Sequence, residues 1–451
     1  MRPDYLSDDD EARDHPLVRD HNWILSIVKD GAERRLYDAV PPKHGQYFCP
    51  DCNEKAWLKD ERWAQKTYVD LNRWGKHVGL RVLRRRFECP NPKCETRSFQ
   101  EKLPELNHNR HLTRDLATEV IGRLRSFSNF VAIARDYGLD EQILRNLEKD
   151  FVAEQDALRG KNTTLRLPQQ LGIHGARICK RDCCLLVNVA TARPLEIIPS
   201  RNAGELVRAI EKLFDEFQFA DVSLVAMSLD VGYRHAARTL FPRAKIIVPR
   251  FEVEAMANRN LRDLVQRNGR RLRLNKERRE LLEYTLRLPF DRLSKQKLAE
   301  LDKVFYSSPL LKAAYENKQS LIGVLSSPTK ERGLARYKEL SKDSSAFVGI
   351  EFMQELDGWQ DAIFDALAVP CTNYFLQLEQ LIAMLKKVGR AYSFETMRGR
   401  MLYGAGRGQA LNTRLAFDEP DLEEQDVGVP IEVLIKYLKR ELALSTPKNP
   451  A

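Results

Sequence analysis

The sequence predicts a multidomain α+β protein: a small cysteine-bearing strand module, a short helical module, and a mixed α/β core interrupted by an all-helical insertion. Three observations predict this. At 451 residues the chain is longer than one ordinary domain. Its hydrophobic periodicity switches repeatedly between the alternation of strands and the 3.6-residue repeat of helices. Its composition, 43% hydrophobic and 31% charged, is that of a folded globular chain.

Residues 1–45 read as a polar lead that ends at Pro41-Pro42. Residues 46–104 carry two close cysteine pairs, Cys49-Pro-Asp-Cys52 and Cys89-Pro-Asn-Pro-Lys-Cys94, around strand-like stretches such as TYVDL and LRVLRRRFE. Four thiolates satisfy tetrahedral Zn²⁺, and each short spacing turns two sulfurs toward one ion, so a structural zinc in a zinc ribbon is expected. Four unligated buried thiols are the alternative. Arg84, Arg85 and Arg86, with Arg81 nearby, are candidate phosphate contacts or a solvated strand face.

From 108 to 155 the pattern is helical. LTRDLATEVIGRLRSF places Leu116, Val120, Ile121 and Leu124 on one face. Ser128 or Asn129 caps a helix through Arg135, Gly138 turns the chain, and Asp140 caps a second helix with Ile143, Leu144 and Leu147 inward. That punctuation suits a helix-turn-helix or an ordinary helical hairpin. In the first case Gln142, Arg145, Asn146 and Lys149 face the major groove of double-stranded DNA.

Residues 165–256 read as three successive strands, then a helix, a strand, a helix and a strand, the order of an RNase H-like mixed sheet. Residues 257–365 are helical throughout, and the basic stretch Arg267–Arg279, including Arg270, Arg271 and Arg273, is a candidate for holding DNA backbone. A closing helix occupies 366–403. An acidic linker and an amphipathic helix with Ile431, Leu434, Ile435, Leu438 and Leu442 in register fill 404–451. That helix docks on the chain's own core or supports a homodimer. Cys179, Cys183, Cys184 and Cys371 read as packing residues. A second metal set with His174 is the alternative, although adjacent strand residues point to opposite faces.

Charge narrows the function. Lys and Arg number 74 against 64 Asp and Glu, a formal +10, which favours a polyanionic partner such as nucleic acid. No apolar run reaches the roughly 18 residues of a membrane span, and the acidic start MRPDYLSDDDEARD lacks a signal peptide's apolar centre. A cytoplasmic chain is therefore expected, and its eight cysteines read as ligands or core residues rather than disulfides.

This order of parts resembles the ISL3 group of bacterial insertion-sequence transposases, from about residue 48 to 402. The stretch CPDC…RRFECPNPKCETRSFQEKLPEL is similar to the family's ribbon and its exit. LGIHGARICKRDCCLLVNVATARPLEIIPSR resembles its first three strands, and SLDVGYRHAARTLFPRAKIIVPRFEV its Asp-Met-x-x-x-Tyr to Asp-Arg-Phe-His segment. LSKQKLAELDKVFYSSPLLKAAYENKQSL resembles the helical insertion, and VPCTNYFLQLEQLIAML the helix that carries the family's glutamate. The resemblance implies a nucleoid-associated partner of DNA, terminal inverted repeats as the target, and cleavage by two Mg²⁺ held by two Asp and one Glu. At those three places this chain has His174, Ser228 and Gln377, and the family's Asp-Arg-Phe-His reads Pro249 to Glu252. Local slips offer Asp230 and Glu379 as substitutes, although a slip of two on a helix turns a side chain by about 200°, which would aim Glu379 away from the site. The expectation is a DNA-binding pseudoenzyme. An active enzyme holding Mg²⁺ or Mn²⁺ through His174, Asp230, Glu252 and Glu379 is one alternative, and a protein-interaction scaffold is another.

Overall fold

The computed structural model describes residues 10–43, 45–161, 166–268, 275–342, 356–369, 372–389, 392–404 and 428–445. The chain divides into two units on either side of Asp156 and Ala157.

The first unit opens with two short helices, α1 (Asp10–Arg13) and α2 (Pro16–Arg19), and then a hairpin of β1 (Ile24–Asp30) and β2 (Arg34–Val40). This corrects the expectation of a polar lead over residues 1–45. Leu25, Tyr37 and Ala39 are buried with Trp23, and Arg35 is buried beside Tyr37 and paired with Asp30, while Ile24, Ile27 and Val28 stay exposed. The Asp30-Gly31 turn is the sequence signal for this hairpin.

Next come β3 (Trp57–Trp63), β4 (Tyr68–Arg73), β5 (Lys76–Glu88), β6 (Ser98–Gln100), β7 (Leu106–Asn107) and β8 (Leu112–Thr113). β5 organises them. Its first half pairs with β2 in parallel and β4 in antiparallel, and its second half pairs with β3 and β6. Along the first half, Val78, Leu80 and Val82 point into a core with Tyr37 and Tyr68, each fully buried apolar side chain contributing roughly 1.5–3 kcal/mol.

Three helices complete this unit: α3 (Arg114–Arg125), α4 (Phe130–Tyr137) and α5 (Glu141–Lys161). Thr113 caps α3 through Leu116 N–H, and Asn129 caps α4 through Val131 N–H. Gly138 ends α4 at φ +63°, a left-handed conformation that suits glycine. The Asp140 carboxylate accepts from Gln142 N–H at 2.6 Å and starts α5. Leu116, Val120, Leu124, Ile133, Leu144 and Leu147 are buried.

The second unit is built on a five-stranded sheet of β9 (Gln170–Ile178), β10 (Arg181–Asn188), β11 (Arg193–Ile198), β12 (Leu224–Met227) and β13 (Lys245–Ile247), in the order β11-β10-β9-β12-β13. The first three strands are antiparallel neighbours, and β12 and β13 join in parallel. Helices α6 (Ala203–Leu213) and α7 (Val231–Leu240) make the crossovers. Cys183 and Cys184 are buried in β10, as expected of packing residues. Cys371 lies outside the described residues.

Then follow α8 (Arg250–Asn268), α9 (Lys276–Arg287), α10 (Lys295–Ser307), α11 (Pro309–Leu325), α12 (Lys330–Lys342) and α13 (Gln360–Asp365). Leu261, Val265, Leu286, Phe305, Leu311 and Tyr315 form a separate helical core. Helix α14 (Thr372–Val388) lies against β9 and α8, and α15 (Phe394–Tyr403) against β11. The final helix, α16 (Ile431–Ser445), packs on α14. Ile431, Leu434 and Leu438 are buried there, and Glu441 accepts from Tyr392 Oη at 2.8 Å. The apolar stripe of α16 is therefore covered by its own chain, not offered to a second copy. Among the described residues, no helix is long and apolar enough to cross a membrane.

Candidate functional site

The four sequence-predicted cysteine ligands meet. Cys49 and Cys52 sit on a turn closed by the Phe48–Lys55 bridge, and Cys89 and Cys94 on the connection from β5 to β6. All four sulfurs lie within 4.8 Å of one another, with Cys49 Sγ to Cys94 Sγ at 3.8 Å and Cys52 Sγ to Cys89 Sγ at 3.5 Å. Zn–S bonds of about 2.3 Å in a tetrahedron give edges of about 3.8 Å, so the donor set fits one such ion. The amides of Cys52 and Asp51 are aimed at the Cys49 sulfur, and that of Cys52 leads in drawing its thiol down to about 7. Burial pushes the Cys94 thiol up to about 12. Adjacent buried thiols resist ionising together, and a shared divalent cation removes that conflict. These four cysteines can therefore hold a structural metal.

The arginine run beside them is not a uniform phosphate-binding edge. Strict alternation from Val78, Leu80 and Val82 would place Arg84 and Arg86 inward and Arg85 outward. Instead the phase slips at Leu83–Arg84, and Arg85 becomes buried with Phe87. Its guanidinium pairs with buried Glu101 at 3.1 Å and with Glu61 at 3.1 Å, and donates to the carbonyls of Pro41 at 2.7 Å and Pro42 at 3.0 Å. Arg85 cannot contact DNA from this position, which corrects the sequence reading. Glu101, its buried partner, carries no local sequence signal of that role. Arg84 donates to Tyr68 Oη at 3.0 Å and Gln100 Oε1 at 2.8 Å. Arg86 is exposed, bonded only to Ser98 Oγ, at 2.7 Å, among the described residues.

On α5, Gln142, Arg145 and Lys149 are exposed and Asn146 half-buried. Gln142 donates to Asn146 at 3.1 Å, and Arg145 pairs with Glu141 at 3.1 Å while lying 4.4 Å over the ring of Phe130. Arg270, Arg271 and Arg273 lie outside the described residues.

The third site lies beside the middle of β9, where β12 ends. His174 on β9 is fully buried. Ser228 follows β12 and is held beside β9 by its amide bond to Ile173 O at 3.0 Å. Glu252, on the first turn of α8, reaches back to both. Its Oε1 lies 3.1 Å from His174 Nδ1 and accepts from Ser228 Oγ at 2.8 Å. Ser228 Oγ in turn accepts from Gly175 N–H at 3.1 Å. Aromatic rings close the surroundings: Phe251, Tyr374 and Phe375 stand 5.7, 6.0 and 5.9 Å from the imidazole. Tyr374 presses so near β9 that a Cβ on Gly172 would lie 2.6 Å from its hydroxyl.

The other candidates do not join this cluster through bonds. The Asp230 carboxylate caps α7, accepting from Tyr233 N–H at 3.0 Å. Gln377 points to α16, where it bonds Glu432. Glu379 is one turn beyond Phe375 and shares its face toward α8. Partial desolvation, then Glu254 and Glu252, hold its carboxyl above the usual range. The expectation that Glu379 points away is thus reversed. Packing of Phe375 on His174 and Phe251 fixes the rotation of α14, so Gln377 is the residue turned aside.

A mixed sheet of this strand order, overlaid by helices and interrupted by a helical block, suits a transposase. The ISL3 family of DDE transposases, described simply as transposase, matches residues 173–401, just over half of the chain, and the chain belongs to that family. The match spans His174, Ser228, Glu252, Gln377 and Glu379. A comparison with curated proteins finds no match. Membership implies DNA as the partner, and transposases of this type work with divalent metal ions.

Proposed function

We propose that this chain is a transposase-like, sequence-specific DNA-binding protein that does not cut or join DNA. One observation carries the reading: beside the middle of β9, where β12 ends, the side chains that meet are an imidazole, a hydroxyl and a single carboxylate, bonded to one another under three aromatic rings. Two Mg²⁺ flanking a phosphate need several anionic oxygens and open coordination positions. Here the Glu252 Oε1 that would ligate is already shared by His174 and Ser228, so the residues present do not fit a pair of ions and no hydrolytic step is derived.

In this reading the second unit is an RNase H-like core with a helical insertion, retained as a scaffold. Cys49, Cys52, Cys89 and Cys94 would hold zinc in a ribbon, where the ion would crosslink strands that share little apolar core. Helices α4 and α5 would act as a helix-turn-helix. Gln142, Arg145 and Asn146 have the donor and acceptor sets that read base edges, and Lys149 suits a phosphate. Terminal inverted repeats are the proposed target.

The test is to incubate the full chain with duplexes spanning the ends of its element, with Mg²⁺ and separately with Mn²⁺. The expected outcome is salt-sensitive, sequence-preferring binding without strand breaks. Mn²⁺-dependent cutting lost in His174→Ala/Asp230→Ala would overturn it in favour of the rearranged ligand set. Binding that ignores salt would indicate a scaffold that no longer uses DNA.

A further inference from the structure

Beside the His174 pocket lies a group of cations with no part in the helix-turn-helix or the zinc site. Arg201 precedes α6, Arg259 and Arg262 stand one turn apart on α8, Arg287 ends α9, and Lys386 lies on the last turns of α14. Helix α8 packs against both α9 and α14. Arg259 lies seven residues beyond Glu252 on α8, and Lys386 seven beyond Glu379 on α14, about 10 Å along each axis. Arg201 lies over β9 next to His174: a Cβ on Gly175 would lie 3.2 Å from its guanidinium. Arg201, Arg259, Arg287 and Lys386 are exposed and Arg262 is half-buried.

These cations are neighbours without matched counter-charges. Partial desolvation, then Arg262, Arg287, Arg259 and Arg201 in turn, holds the Lys386 ammonium below the usual lysine range. None of the five forms an ion pair among the described residues. Of the nearby acids, Glu252 is engaged with His174 and Ser228, and Glu254 with Arg250. Glu379 lies within electrostatic reach of Arg287 and Lys386, but burial and Glu254 still hold its carboxyl above the usual range. Like charges gathered from four segments repel, and an arrangement of this kind is favourable once a polyanion lies across it.

We propose that Arg201, Arg259, Arg262, Arg287 and Lys386 form a metal-independent clamp for the phosphodiester backbone of double-stranded DNA. Fixed cations would thereby neutralise phosphates on the face where the family uses metal ions. The proposal rests on the reading of the chain as a DNA-binding protein and adds a second DNA-binding surface outside the first unit. Arg201, Arg259, Arg262 and Arg287 present donor forks suited to phosphate oxygens, and Lys386 supplies a point charge. Such a surface carries no base information, so it strengthens binding to every duplex alike.

The test is fluorescence anisotropy of the full chain with an element-end duplex and an unrelated duplex, across a salt series, without added divalent metal and again in Mg²⁺. R259Q/R262Q/R287Q/K386Q should bind both duplexes at least about tenfold more weakly at 0.15 M salt. Its plot of log affinity against log salt should flatten by about 3 to 4 units, near 0.9 for each phosphate no longer neutralised. R259K/R262K/R287K should keep most of the slope, and wild-type binding should not require added Mg²⁺. If the fourfold variant does not fold, R259Q/R262Q and R287Q/K386Q should each flatten the slope by about 2 units. Unchanged slopes in folded variants, a requirement for Mg²⁺, or a preference for duplex RNA over DNA would overturn the clamp. Separately, Q142A/R145A/N146A should erase the preference for the element end while keeping binding to the unrelated duplex. Wild-type protein that binds neither duplex would overturn the DNA-binding reading itself. Sequence-preferring binding with unaltered fourfold-variant slopes would remove the clamp alone.

Discussion

Replacing Arg85 by alanine separates a structural arginine from a surface one. Its guanidinium is 2% exposed, and it closes a pair with Glu101, whose side chain is also 2% exposed, besides donating to two proline carbonyls. Removing one partner of a buried pair strands the other charge, which costs about 3–5 kcal/mol. The Pro41 and Pro42 carbonyls lose a donor as well, and each buried acceptor left unsatisfied costs about 1–3 kcal/mol, though such terms do not simply add. A loss of about 4 kcal/mol is expected for Arg85→Ala. Arg86→Ala, at an exposed site, should lie within about 0.5 kcal/mol of the parent. Tryptophan fluorescence suits the measurement, because Trp23, Trp57, Trp63 and Trp74 lie in the first unit and Trp359 in the second. With a urea slope of about 2 kcal/mol per molar, the first-unit midpoint should fall by roughly 2 M in Arg85→Ala and barely move in Arg86→Ala. Equal midpoints for the two variants, or an unshifted Arg85→Ala that binds DNA more weakly, would refute the assignment of Arg85 to the interior.

Other features of the fold carry expectations of their own. Purified protein should carry about one zinc per chain, and Cys49→Ser/Cys94→Ser should carry almost none by elemental analysis and unfold earlier by the same fluorescence. Burial alone would raise the Asp70 carboxyl, but bonds from His15 and Thr113 and the charge of Arg73 hold it below its usual value near 3.8. A depressed carboxyl stabilises the fold above its unfolded value and ceases to do so as pH falls through the folded one. The first-unit transition should therefore weaken below about pH 4, and Asp70→Asn should remove that part of the acid dependence. Gly428 has φ +99°, and a Cβ there would lie 2.0 Å from Pro194 O. Gly428→Ala should cost more than the roughly 1 kcal/mol of the backbone conformation alone, seen as faster proteolysis ahead of α16, and unchanged cleavage would count against it.

Features set by local geometry are legible in the residue pattern, and those that mislead share a cause. Caps and glycine turns act locally, so Asn129 and Gly138 mark the two ends of α4 and Asp140 the start of α5. The cysteine pairs are equally local, since each spacing already implies a shared turn. Residues 24–40 mislead because few of the ribbon's side chains are buried, and the sheet that holds it is completed only when the distant β5 pairs along the edge of β2. Arg85 misleads because one slipped phase within β5 exchanges inside for outside. In the middle of β9, a histidine at position 174 is plain from the residues, but its company is not. Glu252 comes from a different strand-to-helix turn, and the rotation of α14 depends on ring packing that no linear spacing encodes. Arg201 and Lys386 likewise become neighbours only in three dimensions.

The ring wall around His174 has an evolutionary consequence. Restoring carboxylates at His174 and Ser228 would still leave Gln377 facing α16 and the rings of Tyr374 and Phe375 about 6 Å from position 174. Each reversion taken singly would bury an unpaired charge among aromatic groups, which costs stability before any chemistry returns. Under the proposed non-cutting role, such a lineage would meet a fitness valley on the way back, so selection could tune DNA binding with little risk of restoring cleavage.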